Sequence, residues 1–415
     1  MSSGNQSSAE TRVAWVGGDH ERGTLDLLWS CISTLIICTW TVQHLDVIWP
    51  CYRGRQKITL RRLKHTAFAL LMPEYMNGVS IEQYCRAHTS QKKFRELKGF
   101  EEWTMTHGFF ASMNGFRAKC PNGELIALRI EELYWLIQQN LVKGMPAIRK
   151  KEEETFVNPS TTLEEGLIPQ EKKSDTPILS EEYILRCDKS DALTQAIACV
   201  QCGWFVFQIV ARAIMDMEIS PLEITTIAFT CLCFVTYMAW WKKPCDIDFS
   251  CTLEIAQDWQ DWGVKMPQNR REELVRHKEG TGDLYLHAQT QFHSYFTFVL
   301  GACFGALHCI AWNLEYPSRA EQIGWWVCSL IITIWPLYML FTTEPFIQRM
   351  MKVSKYFKIL EHADSSQPLY YIHYALALLY GLARLFLIVE AFISLRSLPR
   401  GVYDTPRWTE YLPHI

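Results

Sequence analysis

The chain contains 415 residues with a formal net charge of −3, and 49% of its residues are hydrophobic. A nucleic-acid-binding protein needs a basic face, which this charge balance does not indicate, so we expect no nucleic-acid partner. The apolar residues are concentrated in long runs between charged stretches, and sixteen tryptophans are typical of a protein whose indole rings lie at a membrane interface. This distribution predicts an integral membrane protein.

Six apolar runs are each close to the length of about twenty residues that an α-helix needs to cross the hydrocarbon core. The runs cover residues 25–48, 191–213, 221–241, 294–312, 323–342 and 370–395. They predict an all-α fold, a polytopic membrane helix bundle with about six transmembrane helices. The last five runs, within residues 191–395, form one continuous part of this bundle.

Basic residues are unevenly distributed between the connections. The connections after the first, third and fifth runs are rich in Lys and Arg, whereas the two remaining connections carry one basic residue between them. Because positively charged connections stay in the cytoplasm, we expect residues 49–190 to be cytoplasmic. Both tails, residues 1–24 and 396–415, are then expected to be lumenal.

The predicted cytoplasmic segment has three parts with distinct composition. Residues 65–79 are apolar but short and are interrupted by Pro73 and Glu74. Basic clusters flank them on both sides, so a re-entrant or interfacial helix is favoured over a seventh span. Residues 124–142 have apolar residues at helical spacing, which predicts an amphipathic helix on the membrane or on the bundle. Residues 150–182 are rich in Glu, Lys, Ser, Thr and Pro, which predicts a disordered linker.

Three predicted spans carry aromatic rings and hydrogen-bonding groups on one face. These residues are Gln201 and Trp204 in the second span, Phe304, His308 and Trp312 in the fourth, and Tyr380 and Arg384 in the sixth. Polar groups are costly in hydrocarbon and mark functional sites by default, so the stripes predict a lined cavity that holds a ligand.

Structural interpretations of the same residues remain open. Gln and His side chains also link neighbouring helices, and a tryptophan near a span end, such as Trp312, also serves as an interface anchor. Arg384 lies too deep to reach the membrane surface. Either a ligand or a carboxylate on another helix is therefore expected to face its guanidinium.

Four carboxylates are candidate catalytic groups: Glu74, Asp191, Glu223 and Glu390. Apolar surroundings favour the protonated form of a carboxyl group, which general-acid catalysis requires. Glu74 is preferred because it follows Pro73 in the interrupted apolar segment. A solvated helix cap is the alternative for Glu74, Asp191 and Glu223, which lie at span edges. The chain lacks the carboxylate-rich motifs that hold Mg²⁺ for diphosphate ionisation. We therefore expect no metal and no other cofactor.

Several stretches resemble one group of fungal integral membrane proteins. They include RGTLDLLWSCISTLIICTWTVQHLDV, MPEYM, WTMTHGFFASMNGF, PLEITTIAF, WWKKPCDID, FGALHCIAWNLEYPS and ARLFLIVEAFISLRSLP. The resemblance is to the membrane-bound terpene cyclases of fungal meroterpenoid pathways, of the ascofuranone, ascochlorin and macrophorin type. Asp46 stands where the common form has Asn, so a catalytic role for Asp46 is not expected.

The resemblance implies a metal-independent cyclase that protonates a terminal epoxide or alkene on a farnesylated aromatic compound. It implies a hydrophobic prenylated substrate, contact with membrane lipid, a pathway prenyltransferase or epoxidase as partner, and an endoplasmic reticulum location. Glu74 would be the acid, with Asp191 and Glu223 as alternatives. The remaining candidates would orient or line the substrate: Arg384, His308, Glu390, Gln201, Trp204, Phe304, Tyr380 and Trp312.

Two other classes of function remain open from the residues alone. In a transporter or channel, Arg384 and Glu390 would bind a solute or relay protons. In a non-catalytic membrane scaffold, the polar side chains would only pair between helices.

Overall fold

The computed structural model describes residues 12–18, 22–47, 55–123, 125–143, 179–188, 192–247, 249–256, 291–342 and 367–405. In chain order the helices are α1 (Thr24–Ile36), α2 (Arg55–Leu71), α3 (Pro73–Phe94), α4 (Met105–Ser112), α5 (Ile130–Gln138), α6 (Glu181–Arg186), α7 (Ala192–Ile214), α8 (Pro221–Trp240), α9 (Gln291–Cys309), α10 (Arg319–Thr342) and α11 (Gln367–Ile393). The strands are β1 (Arg12–Val13), β2 (Phe116–Lys119), β3 (Leu125–Ala127), β4 (Val142–Lys143), β5 (Cys251–Ile255) and β6 (Leu398–Pro399). A π-helical turn, Ile37–Thr41, extends α1.

Six of the described helices are long and apolar enough to cross a membrane. These spans are Thr24–Thr41, Gln195–Ile214, Pro221–Trp240, Tyr295–Asn313, Arg319–Phe341 and Ala375–Arg396. Each lies on one of the six runs predicted from hydropathy, which confirms a mostly helical, multi-pass membrane protein. The first span ends at Thr41, seven residues before the predicted limit.

Helix α8 is the central span and α7 is a peripheral one. Two thirds of the apolar window of α8 (67%) are buried, compared with 28% for that of α7. Helix α8 packs against α1, α3, α7, α9 and α11. Large apolar side chains of α7, such as Ile197 and Phe207, remain exposed on its outer face, as expected for a surface that lipid covers.

Helices α9 and α10 approach each other closely through two glycines spaced four residues apart. A Cβ atom on Gly305 would lie 2.4 Å from Thr333 Oγ1 and 2.7 Å from Thr333 Cα. A Cβ atom on Gly301 would lie 3.2 Å from the ring of Pro336 and 3.3 Å from Glu74 Cγ. Small residues at this spacing permit close packing of membrane helices, and here they leave room for α3 as well as for α10.

The predicted re-entrant segment, residues 65–79, contains the junction of two longer helices. Helix α2 ends at Leu71, Met72 has a non-helical backbone (φ −138°, ψ 63°), and Pro73 begins α3. Proline is favoured at the first helical position and disfavoured inside a helix. The segment expected to be a re-entrant or interfacial helix is therefore divided between α2 and α3, at the interruption that Pro73 predicted. The contact with Gly301 places the first turn of α3 among the spanning helices, as a re-entrant helix requires.

A four-stranded sheet, which the all-α prediction missed, packs outside the spanning helices. Its strand order is β3-β2-β5-β4, with β2 and β5 parallel and the other two pairs antiparallel. The predicted amphipathic helix over residues 124–142 is wrong in extent, because strands β3 and β4 replace its two ends. Leu133 and Leu136 on its apolar face belong to one hydrophobic cluster with Trp103 and with residues of the sheet.

The predicted disordered linker, residues 150–182, lies outside the described residues as far as residue 178. Its last part begins an ordered helix, since the Ser180 hydroxyl accepts a hydrogen bond from the Tyr183 N–H at the start of α6. A hydroxyl at this position satisfies one of the free N–H groups of a first helical turn.

The two predicted tails pair with each other across one end of the bundle. Strand β1 is antiparallel to β6, and the Arg12 side chain donates hydrogen bonds to the carbonyls of Tyr316 and Ser397. Arg212, a buried residue of α7, donates at the same end to the carbonyls of Glu218 and Val402. This pairing places both tails on one side, as an even number of spans requires.

The α9–α10 contact yields a prediction for Gly305→Ala. Because the added methyl group would meet backbone atoms of Thr333, the helices must separate, and we expect a loss of about 1–3 kcal/mol in unfolding free energy. Gly203→Ala is the matched control, since a Cβ atom there has no neighbour within 4 Å. Equilibrium unfolding in mixed detergent micelles measures both. Equal stability of the two variants would contradict the close approach.

His107 on α4 makes a pH-sensitive contact with the chain segment before α6. Its Nδ1 accepts hydrogen bonds from the Thr104 N–H (3.1 Å) and hydroxyl (2.8 Å), and its Nε2 donates to the Leu179 carbonyl (3.1 Å). Protonation of Nδ1 would place a second donor against the Thr104 N–H. Burial accordingly lowers the pKa of His107.

We predict that acid destabilises the protein through His107. As the pH falls below about 6.5, the unfolded chain binds the proton before the folded chain does, so the unfolding free energy decreases from that pH downward. Thermal unfolding in detergent at pH 7.5 and 5.5 measures the decrease. His107→Gln should reduce the difference between the two pH values. His88→Gln, at an exposed position of α3, should preserve it. An unchanged difference in His107→Gln would refute the assignment.

Candidate functional site

A carboxylate, a phenol and a guanidinium meet inside the spanning helices. Glu74 Oε2 pairs with Arg384 Nη2, and Glu74 Oε1 accepts a hydrogen bond of 2.6 Å from the Tyr380 hydroxyl. The Tyr380 oxygen in turn accepts hydrogen bonds from Arg384 Nε (3.1 Å) and Nη2 (2.8 Å). All three side chains are buried. We call Glu74, Tyr380 and Arg384 the buried triad.

Aromatic rings of α9 and its neighbours cover the buried triad. The Arg384 guanidinium carbon lies 4.0 Å from the centroid of the Phe304 ring, a cation–π arrangement. Phe304 also contacts the ring of His308 at 4.6 Å and that of Phe229 at 5.2 Å. The surroundings of the three polar groups are therefore dry and largely apolar.

Local sequence explains how each member of the triad reaches this place. Pro73 fixes the start of α3, so Glu74 stands in its first turn and projects into the bundle. Tyr380 and Arg384 are four residues apart on α11, so their side chains lie on one face. Gly301 on α9 has no side chain, and a Cβ atom there would crowd the Glu74 side chain, 3.3 Å from its Cγ atom.

One donor of the triad has no partner among the described residues. Arg384 Nη1 is buried and makes no hydrogen bond in the part of the chain that the structure describes. An unsatisfied donor on a buried charged group costs free energy. The acceptor oxygen of a bound molecule would satisfy this donor.

His308 and Phe304 lie with the triad as predicted, but three other expected pocket residues do not. Gln201 donates to the Ser33 hydroxyl at 3.0 Å and so links α7 to α1. The Trp204 side chain is 54% exposed on the outer face of α7. Trp312 stacks on Trp326 at 4.8 Å near the end of its span, as an interface anchor does. The polar stripes of α7 and α9 therefore do not form one cavity lining.

Of the other three candidate carboxylates, two have different surroundings and one lies outside the described residues. Glu223 caps the start of α8 through Ser220 and pairs with Arg22 at 2.6 Å, which makes it a structural residue. Asp191 lies outside the described residues. Glu390 is buried six residues beyond Arg384, and its Oε1 has no hydrogen bond within the described part of the chain.

A second buried cation, which the sequence analysis missed, lies beside α3. Lys243 Nζ donates to the His44 carbonyl (2.6 Å) and to Gln83 Oε1 (2.8 Å), and it lies 4.2 Å from the centroid of the Trp240 ring. Asp46 Oδ1 is 3.9 Å away. Burial lowers the pKa of Lys243 to about 8. The sequence signal was the pair of lysines directly after the central span.

The contacts of Lys243 hold α3 at a second point along its length. Gln83 is nine residues after Glu74 on α3, and it also accepts a hydrogen bond of 3.0 Å from Trp240 Nε1 at the end of α8. The first turn of α3 is thus held by Arg384 and its middle by Lys243, so both buried cations position the same helix.

The chain was compared with protein families, curated proteins and solved structures. A family model described as a family of unknown function, DUF8562, matches residues 1–266 and 277–415. The chain belongs to DUF8562. No curated protein and no solved structure matches this DUF8562 member. Among its described residues, no group of three or more His, Cys, Asp or Glu side chains is arranged to hold a metal ion.

The buried triad yields a prediction about stability. Glu74→Gln or Arg384→Met alone leaves an uncompensated group inside the bundle, and we expect each to cost about 3–5 kcal/mol. The double variant should cost less than the sum, because it removes both charges together. Glu321→Gln is the control, since its ion pair with Arg396 is partly exposed, and about 1 kcal/mol or less is expected. Additive single effects in equilibrium unfolding would contradict direct coupling.

Proposed function

We propose that this DUF8562 member is a membrane-embedded, metal-independent terpene cyclase that cyclises a prenylated aromatic epoxide or alkene. The observation that supports the proposal is the buried triad itself. It combines a proton donor, a carboxylate and a cationic hydrogen-bond donor in a dry, aromatic environment. Acid-initiated ring closure needs a positioned proton donor at its start and a proton acceptor at its end.

The pairing of Glu74 with Arg384 changes the role expected for Glu74. Both Glu74 oxygens already accept hydrogen bonds, one from Arg384 Nη2 and the other from the Tyr380 hydroxyl, so we assign Glu74 the role of proton acceptor. We assign the proton donor to the Tyr380 hydroxyl, whose oxygen accepts hydrogen bonds from two N–H groups of Arg384 that would also hold the phenolate formed in the reaction. Arg384 Nη1 remains available to hold the epoxide oxygen.

The proposed reaction is an isomerisation, in which the proton that Tyr380 donates is returned to it at the end. Tyr380 transfers its proton to the epoxide oxygen while a carbon–oxygen bond breaks, and the alkenes of the chain close rings onto the resulting cation. The last cation loses a proton to Glu74. The 2.6 Å hydrogen bond between Glu74 and Tyr380 then returns a proton to the phenolate. His308 and Phe304 limit the space around the reacting chain.

A hydrophobic substrate would reach this site from the bilayer. The proposed location of the protein is the endoplasmic reticulum membrane. Its proposed orientation, with both tails lumenal and residues 49–190 cytoplasmic, follows from the distribution of basic residues. A prenyltransferase and an epoxidase of the same pathway would supply the substrate.

The proposal is tested with microsomes from a host that expresses the full chain. The substrates are a farnesylated phenol with a terminal epoxide and the matching compound with a terminal alkene. We expect a cyclised product of unchanged mass from at least one of them. Tyr380→Phe and Glu74→Gln should lower the rate by about 100-fold or more, the usual contribution of a general acid or base.

Trp204→Phe is the matched control, since this side chain faces outward, and it should retain the wild-type rate. Size-exclusion chromatography in detergent confirms that each variant is folded. Folded wild-type protein that forms no isomer from either substrate would overturn the proposal. Full activity in folded Tyr380→Phe and Glu74→Gln would instead show that the triad is purely structural.

A further inference from the structure

Three free thiols from three spans meet at a place remote from the buried triad in sequence. Cys38 belongs to the π-helical turn after α1, Cys202 to α7 and Cys233 to α8. The Sγ atoms of Cys38 and Cys202 are 3.7 Å apart, and Cys233 belongs to the same cluster of packed side chains. We call these residues the thiol cluster.

The three cysteines of the thiol cluster differ in how exposed they are. Cys38 and Cys233 are buried, with 4% and 5% of their surfaces exposed, whereas Cys202 is half-buried on the peripheral helix. An oxidant dissolved in the membrane therefore reaches Cys202 first. The turn that carries Cys38 has π-helical geometry, which often marks a functional position within a helix.

The geometry favours a bond between Cys38 and Cys202. A disulfide has a sulfur–sulfur length of about 2.05 Å, so the two atoms need to approach by about 1.7 Å. Rotation of a cysteine side chain about its Cα–Cβ bond moves the sulfur over a distance of this order. Outside this cluster, α7 is joined to α1 by the hydrogen bond from Gln201 to Ser33.

We propose that the thiol cluster is an oxidation site at which a hydroperoxide converts Cys38 and Cys202 to a disulfide. The Cys202 sulfur attacks the terminal oxygen of the hydroperoxide, which releases an alcohol and leaves a sulfenic acid. The Cys38 sulfur then attacks the Cys202 sulfur, and water leaves. The two thiols are oxidised and the hydroperoxide is reduced. The product is a covalent link between α7 and the end of α1.

The test uses the full chain with a specific protease site inserted after residue 160, between the helices that carry Cys38 and Cys202. Purified protein in detergent is treated with hydrogen peroxide or with cumene hydroperoxide, blocked with a maleimide, cleaved and run on a non-reducing gel. We expect most of the wild-type fragments to stay joined and to separate on reduction. Mass spectrometry should identify the peptide pair that contains Cys38 and Cys202.

Serine variants decide whether the thiol cluster is responsible. Cys38→Ser and Cys202→Ser should each lower the joined fraction at least tenfold, whereas Cys231→Ser, an exposed thiol on α8, should leave it unchanged. Chromatography of the reduced variants confirms that they are folded. Separated fragments after oxidation of the wild type, or joined fragments in folded Cys38→Ser, would overturn the proposal.

Discussion

A guanidinium group at the depth of Arg384 needs a counter-charge, because a bare cation inside a membrane bundle costs several kcal/mol. The counter-charge comes from Glu74, which is 310 residues away in the sequence and belongs to a helix outside the six spans. The first turn of α3 must therefore enter the bundle. The chain break at Pro73 and the small residue at Gly301 both serve this single ion pair.

The features that follow from local periodicity could be predicted from the sequence. Six apolar runs gave the six spans, and Pro73 gave the break before α3. Spacing by four residues also placed Tyr380 and Arg384 on one face, because a helix repeats every 3.6 residues. For Arg384, two expectations were left open, a ligand or a carboxylate. The structure shows a carboxylate, while one donor of Arg384 has no partner among the residues that the structure describes.

The remaining features depend on partners that are distant in the sequence, and no local pattern identifies those partners. The face of α7 that carries Gln201 and Trp204 has polar and aromatic residues at helical spacing, as does the face of α11. It nevertheless lies at the edge of the bundle. The sheet was missed because its strands are two to five residues long and its parallel pair joins residues 116–119 to 251–254. The pairing of Lys243 with Gln83 could not be predicted either, because these two residues are also distant in the sequence.

The pairing of β1 with β6 has a consequence for biosynthesis. Arg12 and Val13 are synthesised well before their partners Pro399 and Leu398. Insertion of the earlier spans therefore proceeds with the β1 edge unpaired and Arg12 without its carbonyl acceptors. Closure of the bundle waits until β6 has been synthesised. A nascent chain that stalls before α11 lacks both Arg384 and β6. Glu74 then has no guanidinium partner and β1 has no partner strand, and both are features that quality-control factors can recognise.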